Sequence, residues 1–151
     1  MKNIKVLMID DNVELVKMVK EYFSNHENID ISLEAYDGVE GMKLIKDNQD
    51  DYDVVILDLI MPHKDGVSIL EEMKQLGIDK KVIVLTSYNT QDMIRKVSEL
   101  GIVYFILKPF ELSELEKRIL ECMGENNYSN KSIDVYKNNL QISITKILHE
   151  L

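Results

Sequence analysis

Four short apolar runs, each followed at once by polar residues, constrain this chain more than any other feature of its sequence. The runs begin at Ile4, Val54, Val82 and Val103 and are rich in valine and isoleucine. Runs of this length and composition are typical of parallel strands that are buried on both faces of a sheet. Because helical patterns separate the runs, the sequence predicts an α/β fold with a parallel sheet.

The polar residues that follow these runs carry carboxylates, a hydroxyl and an amine. They are Asp10, Asp11, Asp58, Thr86 and Lys108. Ligands of open α/β sheets bind beyond the carboxyl ends of the strands, so we expect these five side chains to converge. Crowded carboxylates need a cation, and a set of oxygen ligands suits Mg²⁺. A carboxylate beside Mg²⁺ and a lysine is equipped to accept a phosphoryl group.

The other elements are predicted from periodicity. Apolar and polar residues alternate near Ile29 to Tyr36, which is typical of an edge strand. Helical patterns are predicted in five places, namely the stripe Leu15, Met18, Val19, Tyr22 and Phe23, the segments 38–47, 67–76 and 90–100, and the stripe Leu112, Leu115, Ile119 and Met123. The prediction is therefore one domain over residues 1–123 with five strands and five helices.

Composition narrows the classes of function. With 18 basic and 27 acidic residues the formal net charge is -9, which argues against nucleic-acid binding by the chain's own field. The single Cys122 excludes a disulfide framework within the chain and suits a reducing compartment. Asp10 and Asp11 interrupt the first apolar run too early for a signal peptide, and no run reaches the roughly 18 residues of a membrane span. We therefore expect a cytoplasmic protein with no membrane partner.

The four polar sites together resemble the receiver domain of two-component response regulators. The similarity covers about residues 3 to 124 and is carried by Asp10-Asp11, by Asp58 in the segment 57–66, by Leu85-Thr86-Ser87 and by Lys108-Pro109-Phe110. It implies a doubly wound, flavodoxin-like sheet of five parallel strands. It also implies a histidine kinase or a histidine phosphotransferase as the partner that donates the phosphoryl group.

The resemblance assigns a role to each site residue. It implies that Asp58 accepts the phosphoryl group and that Thr86 and Lys108 contact its oxygens. The expected Mg²⁺ ligands are three carboxylates and one backbone carbonyl, from Asp10, Asp11, Asp58 and Ile60. In the family the Lys108–Pro109 peptide bond is cis.

Two further positions concern switching and hydrolysis. Phe105 stands where the family has an aromatic switch residue, whose ring turns inward as Thr86 moves toward the phosphoryl group. Phe105 is equally explained as a core residue, and Asp11 as the N-cap of the first helix. Ile60 and Tyr88 stand two positions after Asp58 and Thr86. Since Ile60 cannot orient water and Tyr88 is bulky, we expect slow autodephosphorylation.

The composition changes at Gly124. Residues 124–132 are polar and rich in asparagine, which predicts a linker. From Ile133 to Leu151 apolar residues recur at intervals of three and four, which predicts an amphipathic helix. This segment resembles the start of the DNA-binding domain of the stage-zero sporulation regulators of endospore-forming bacteria. It implies a truncated effector domain over 133–151, with DNA bound only through the missing part. The helix could instead pack on its own receiver or pair with a second copy, as in a phosphorylation-dependent homodimer.

Two other functions compete with a phosphorylated switch. A Mg²⁺-dependent phosphatase of the haloacid dehalogenase type also uses an aspartyl phosphate and a lysine. That class places its two acids as Asp-x-Asp on the first strand, whereas here Asp10 and Asp11 are adjacent and Asp58 follows another strand. A receiver used only for protein interaction would not need to keep every site residue.

Overall fold

A single parallel sheet forms the centre of the molecule. The computed structural model describes residues 4–87 and 89–123. Within them the strands are β1 (Ile4–Ile9), β2 (Ile29–Ala35), β3 (Val54–Leu57), β4 (Lys81–Thr86) and β5 (Tyr104–Leu107). Their order in the sheet is β2-β1-β3-β4-β5, and all four pairings are parallel. This confirms the predicted five-stranded parallel sheet, with β3 at its centre and β2 at one edge.

Helices cover both faces of the sheet. They are α1 (Val13–Phe23), α2 (Gly38–Asp47), α3 (Gly66–Leu76), α4 (Gln91–Glu99) and α5 (Leu112–Met123). One core cluster joins the sheet to α2, α3 and α4, and a second joins it to α1 and α5. The doubly wound architecture is thereby confirmed. The predicted linker (124–132) and the predicted helix of 133–151 lie outside the described residues.

The central strand shows why the sequence adopts this fold. All four residues of β3 are fully buried. Val55 and Leu57 contribute to the core under α2, α3 and α4, whereas Val54 and Ile56 contribute to the core under α1 and α5. Successive side chains of a strand point to opposite faces, so a strand covered on both sides needs apolar residues at every position. Burial on both faces thus accounts for the unbroken apolar run.

The predicted apolar stripe of α1 is only partly correct. Leu15, Val19 and Phe23 are buried, and so is Val16, which the prediction omitted. Met18 is 50% exposed, and Tyr22 is 41% exposed. At about 100° per residue, the four buried positions occupy one narrow arc, and the two exposed residues lie beside that arc.

The described helices do not include one that is both long and apolar enough to span a bilayer.

Candidate functional site

The acids that follow β1 and β3 lie side by side because those two strands are neighbours. The backbone N–H of Asp58 donates to the carbonyl of Ile9 at 3.0 Å, and that of Asp10 donates to the carbonyl of Ala35 at 3.1 Å. These bonds extend the strand ladders by one residue and fix both acids. One carboxylate oxygen from each of Asp10, Asp11 and Asp58 lies within 4.8 Å of the corresponding oxygens of the other two.

The lysine that follows β5 reaches this acidic cluster. The Nζ atom of Lys108 lies 2.8 Å from Oδ2 of Asp10 and 3.5 Å from Oδ2 of Asp58. The backbone N–H of Lys108 donates to the carbonyl of Thr86 at 2.9 Å, and the Lys108–Pro109 peptide bond is cis. The residues after β1, β3 and β5 therefore form one ion-pair cluster.

Electrostatics in this cluster favour an additional cation. Asp10 is 1% exposed and Asp58 is 6% exposed, whereas Asp11 faces solvent. Burial raises the pKa of Asp10, and the nearby charge of Asp58 adds to that effect. Hydrogen bonds from Lys108 and from the backbone N–H of Asn12 act in the opposite direction but do not cancel it. The ammonium group of Lys108 pairs with two of the three clustered acids, and clustered carboxylate oxygens are the donor set that Mg²⁺ prefers.

Strand β4 ends with Thr86, whereas Phe105 lies inside the neighbouring strand β5. Thr86 is the last residue of β4 and is 1% exposed, at the same edge of the sheet as the acids. Phe105 is 7% exposed and belongs to the core cluster on the side of α2, α3 and α4. Tyr88 falls outside the described residues.

A tight loop connects Asp58 to α3. Ile60 is 50% exposed, and its backbone N–H approaches Oδ1 of Asp58 at a long 3.4 Å. The N–H of Gly66 donates to the carbonyl of Leu59 at 2.8 Å and closes the loop. A Cβ atom on Gly66 would lie 2.8 Å from the Cα of Leu59, so a larger residue would push the loop away from the acceptor strand.

Asn12 supports the site, and the sequence prediction missed it. Its backbone N–H donates to Oδ1 of Asp10 at 2.9 Å, while its side chain accepts from the N–H of Leu15 at 3.1 Å. Asn12 is thus the N-cap of α1, and the interpretation of Asp11 as that cap is wrong. Asparagine is at least as good a cap as aspartate, and this Asn directly precedes the helical pattern, which was an available signal.

Known proteins resemble this chain in sequence and in fold. The profile of the response regulator receiver domain family matches residues 6–120. A Francisella response regulator receiver domain is 32% identical, with a TM-score of 0.70 over 78% of this chain and 93% of that one. A CheX–CheY complex with BeF3 and Mg²⁺ from Borrelia burgdorferi is 25% identical, with a TM-score of 0.72 over 81% and 90%. A receiver domain protein from Clostridium thermocellum is 27% identical, with a TM-score of 0.67 over 89% and 97%.

The family match extends from β1 into α5 and therefore contains the acidic cluster, the lysine and the loop after β3. More than two thirds of the chain is covered, and so is nine tenths or more of each structural neighbour described above. The sheet order, the placement of the acids and the family match agree, and this chain belongs to the family of response regulator receiver domains.

Proposed function

We propose that this chain is a phosphorylation-controlled switch that accepts a phosphoryl group on Asp58 from a phosphohistidine. The observation that carries the proposal is the contact of one ammonium group with two buried acids, Lys108 with Asp10 and Asp58, in a cluster that also includes Asp11. The donor is a histidine kinase or a histidine phosphotransferase, as expected for a receiver domain. Because the acceptor belongs to the signalling protein itself, the reaction is a single loading event and not enzymatic turnover.

The transfer step follows from the chemistry of the donor. A carboxylate oxygen of Asp58 bonds to phosphorus as the phosphorus–nitrogen bond breaks, and the electron pair of that bond returns to the donor imidazole. Lys108 and Thr86 would stabilise the phosphoryl oxygens, one as a point charge and the other through its hydroxyl.

The proposed Mg²⁺ site has four protein ligands. We assign to Mg²⁺ the carboxylates of Asp10, Asp11 and Asp58 and the backbone carbonyl of Ile60. When bound, the ion supplies the positive charge that offsets repulsion between the acceptor carboxylate and an anionic donor. The Borrelia complex described above also contains Mg²⁺.

Phosphorylation would be transmitted through Thr86 and Phe105. Added charge at Asp58 would draw Thr86 toward it, and the ring of Phe105 would then repack, which alters the surface of α4, β5 and α5. Phe105 lies in the core beside α4, so its rotation would be felt by that helix. A changed surface of this kind could control homodimer formation.

We further propose that the protein acts in the cytoplasm in control of transcription and of the initiation of sporulation. The similarity of residues 133–151 to the stage-zero sporulation regulators motivates this assignment. We expect residues 1–151 themselves to make no specific contact with DNA, in agreement with the net charge of -9.

The central test is phosphorylation with a small-molecule donor. Incubation with acetyl phosphate and Mg²⁺ should add one phosphoryl group, measured by intact mass, and a chelator should prevent the addition. Asp58→Asn should abolish it. Asp65→Asn is the matched control, because Asp65 is an exposed acid in the same loop that caps α3. Uptake that persists in Asp58→Asn, or that ignores the chelator, would contradict the proposal.

A phosphate-release assay, run beside the acetyl phosphate experiment, separates the competing functions. A phosphatase of the haloacid dehalogenase type would release many equivalents of phosphate from an aryl phosphate, whereas a receiver becomes loaded once. A module used only for interaction would take up no phosphoryl group at all.

A further inference from the structure

The loop between β3 and α3 contains a strained turn centred on His63. The backbone N–H of Lys64 donates to the carbonyl of Pro62 at 2.8 Å, which closes a three-residue γ-turn. His63 at its centre has φ 70°, and it is the only residue other than glycine with a positive φ among residues 4–87 and 89–123. The γ-turn with this sign of φ is rare and strained. Such strain persists only where the surrounding structure fixes it, and it is concentrated at functional sites.

Helix α2 provides the support for this turn. Gly38, the first residue of α2, lies so close to Lys64 that a Cβ atom would overlap the carbonyl oxygen of Lys64 and lie 2.6 Å from its carbonyl carbon. The obstacle is backbone, which cannot rotate away as a side chain could. The Nζ atom of Lys64 also pairs with Oε1 of Glu72 on α3 at 2.8 Å. Lys64 therefore packs against α2 through its backbone carbonyl and pairs with α3 through its ammonium group.

The turn and the proposed metal ligand belong to the same small loop. The bond between Gly66 and Leu59 joins the two ends of this loop. Ile60 lies just inside the first end, and His63 lies three residues later. In a closed loop of this size, a displacement of the turn changes the backbone torsions available to its neighbours. The contact between Lys64 and Gly38 is therefore a second fixed point, in addition to the bond between Gly66 and Leu59, and it restricts the path of the chain through Ile60.

We infer that the strained turn at His63, which packs against Gly38 through Lys64, holds the backbone carbonyl of Ile60 in position to bind Mg²⁺. This inference rests on the proposed function, because it uses the proposed metal ligands. In this view a non-glycine residue at position 63 is useful because it restricts the loop. Glycine would remove the strain but would let the loop sample other paths, so metal binding would have to order it.

The first test compares two substitutions at the centre of the turn. We expect His63→Gly to keep or raise the melting temperature and to weaken Mg²⁺ binding, measured by titration calorimetry, at least about threefold. His63→Ala removes the same imidazole but keeps a Cβ atom, so its Mg²⁺ affinity should stay within about twofold of the parent. A substitution that stabilises the fold while weakening metal binding cannot be explained by a merely structural role.

The second test changes Gly38, the residue of α2 against which the turn packs. Gly38→Ala should push Lys64 away and weaken Mg²⁺ binding at least about threefold. Gly77→Ala is the matched control, since Gly77 has φ 69° with no neighbouring atom within 4 Å of the new Cβ position. It should lower the melting temperature through strain and leave Mg²⁺ affinity unchanged.

The possible results separate this inference from the proposed function. If the parent chain binds no Mg²⁺, the proposed function fails, and the inference fails with it. If the parent binds Mg²⁺ and His63→Gly binds it equally well, the inference alone is overturned. Equal losses in His63→Gly and His63→Ala would also overturn it, because they would assign the effect to the imidazole. If Gly38→Ala does not fold, the two variants at His63 still decide the question.

Discussion

At the scale of single residues, the site works against the stability of the fold. Asp10 is almost completely buried beside Asp58, and burial raises its pKa. A raised pKa in the folded state means that the folded chain binds the proton more tightly than the unfolded chain. The ionised form of Asp10 is therefore unfavourable for folding in the absence of a bound cation.

We expect Asp10→Asn to raise the free energy of unfolding at neutral pH by on the order of 1 kcal/mol, because a buried charge is removed. The sign follows from the raised pKa. The parent loses stability as pH rises from the unfolded pKa of Asp10, near the ordinary value of 3.8, to the higher folded pKa. The gain should therefore disappear in acid, where Asp10 is protonated in both states.

Urea unfolding at several pH values, without metal, measures this effect. Asp30→Asn provides the control, because it removes the same charge from an exposed position of β2. Mg²⁺ should stabilise the parent but not Asp10→Asn. A loss of stability in Asp10→Asn at neutral pH would show that the ion pair with Lys108 outweighs the burial of the charge.

We expect the lifetime of the phosphorylated state to depend on Ile60. Ile60 lies two positions after the acceptor, and its half-exposed side chain has no group that can orient water. We expect Ile60→Asn to accelerate loss of the phosphoryl group at least about threefold, because an amide can position the attacking water. Val39→Asn is the control, since Val39 is a similarly exposed apolar residue on α2. Identical half-lives for the parent and Ile60→Asn, followed by intact mass, would contradict this expectation.

At the scale of elements, Tyr52 joins the end of α2 to the start of β3. Its ring is 1% exposed, and its hydroxyl donates to the carbonyl of Ile45 at 2.8 Å. The Nζ atom of Lys80 lies 4.6 Å from the centre of the same ring. Burial raises the pKa of Tyr52 to about 12, so the phenol remains protonated at any ordinary pH.

We expect Tyr52→Phe to lower the free energy of unfolding by about 1–2 kcal/mol, because the buried carbonyl of Ile45 loses a partner. Tyr22→Phe should change it much less, since the hydroxyl of Tyr22 donates to Glu116 at the exposed surface, where water can replace the lost partner. Urea unfolding of both variants makes the comparison. Equal losses would mean that the buried hydrogen bond contributes no more than the exposed one.

The elements also show what sequence can predict. Strands β1 and β3 were predicted at their observed bounds, because burial on both faces leaves an unbroken apolar run. Helix α2 was predicted equally well. The short 3₁₀ turn at Gln49–Asp51 was not predicted, because its three polar residues are exposed and carry no periodic signal. The turn at His63 was missed because its conformation depends on contact with Gly38, which is distant in sequence.

The candidate site, too, could be predicted from the sequence only in part. The sequence places Asp10, Asp58, Thr86 and Lys108 at strand ends, and the order of the strands brings those ends to one edge of the sheet. The support from Asn12 is a backbone hydrogen bond, and any residue type can supply a backbone N–H. Such support becomes visible only in the folded chain.

At the scale of the whole molecule, residues 4–87 and 89–123 contain the described fold and all of the proposed phosphorylation residues except Tyr88, which falls between these two segments. We expect a chain ending at Met123 to take up the phosphoryl group at a rate within about twofold of the full chain, because no proposed ligand lies after Lys108. Uptake from acetyl phosphate, followed by intact mass, makes the comparison. Loss of uptake on truncation would make residues 124–151 part of the receiver fold.

We also expect the full chain of 151 residues to show no sequence-specific DNA retention, phosphorylated or not.

The bond between Lys108 and Asp10 joins residues that are 98 positions apart in the chain. It can form only after the strands between them have taken their places, since β3 and β4 separate β1 from β5 in the sheet. A nascent or partly folded chain therefore has an aspartate at position 58 but no assembled site around it. We expect such a molecule to take up no phosphoryl group. If the proposed function holds, the architecture restricts phosphorylation to molecules that have finished folding.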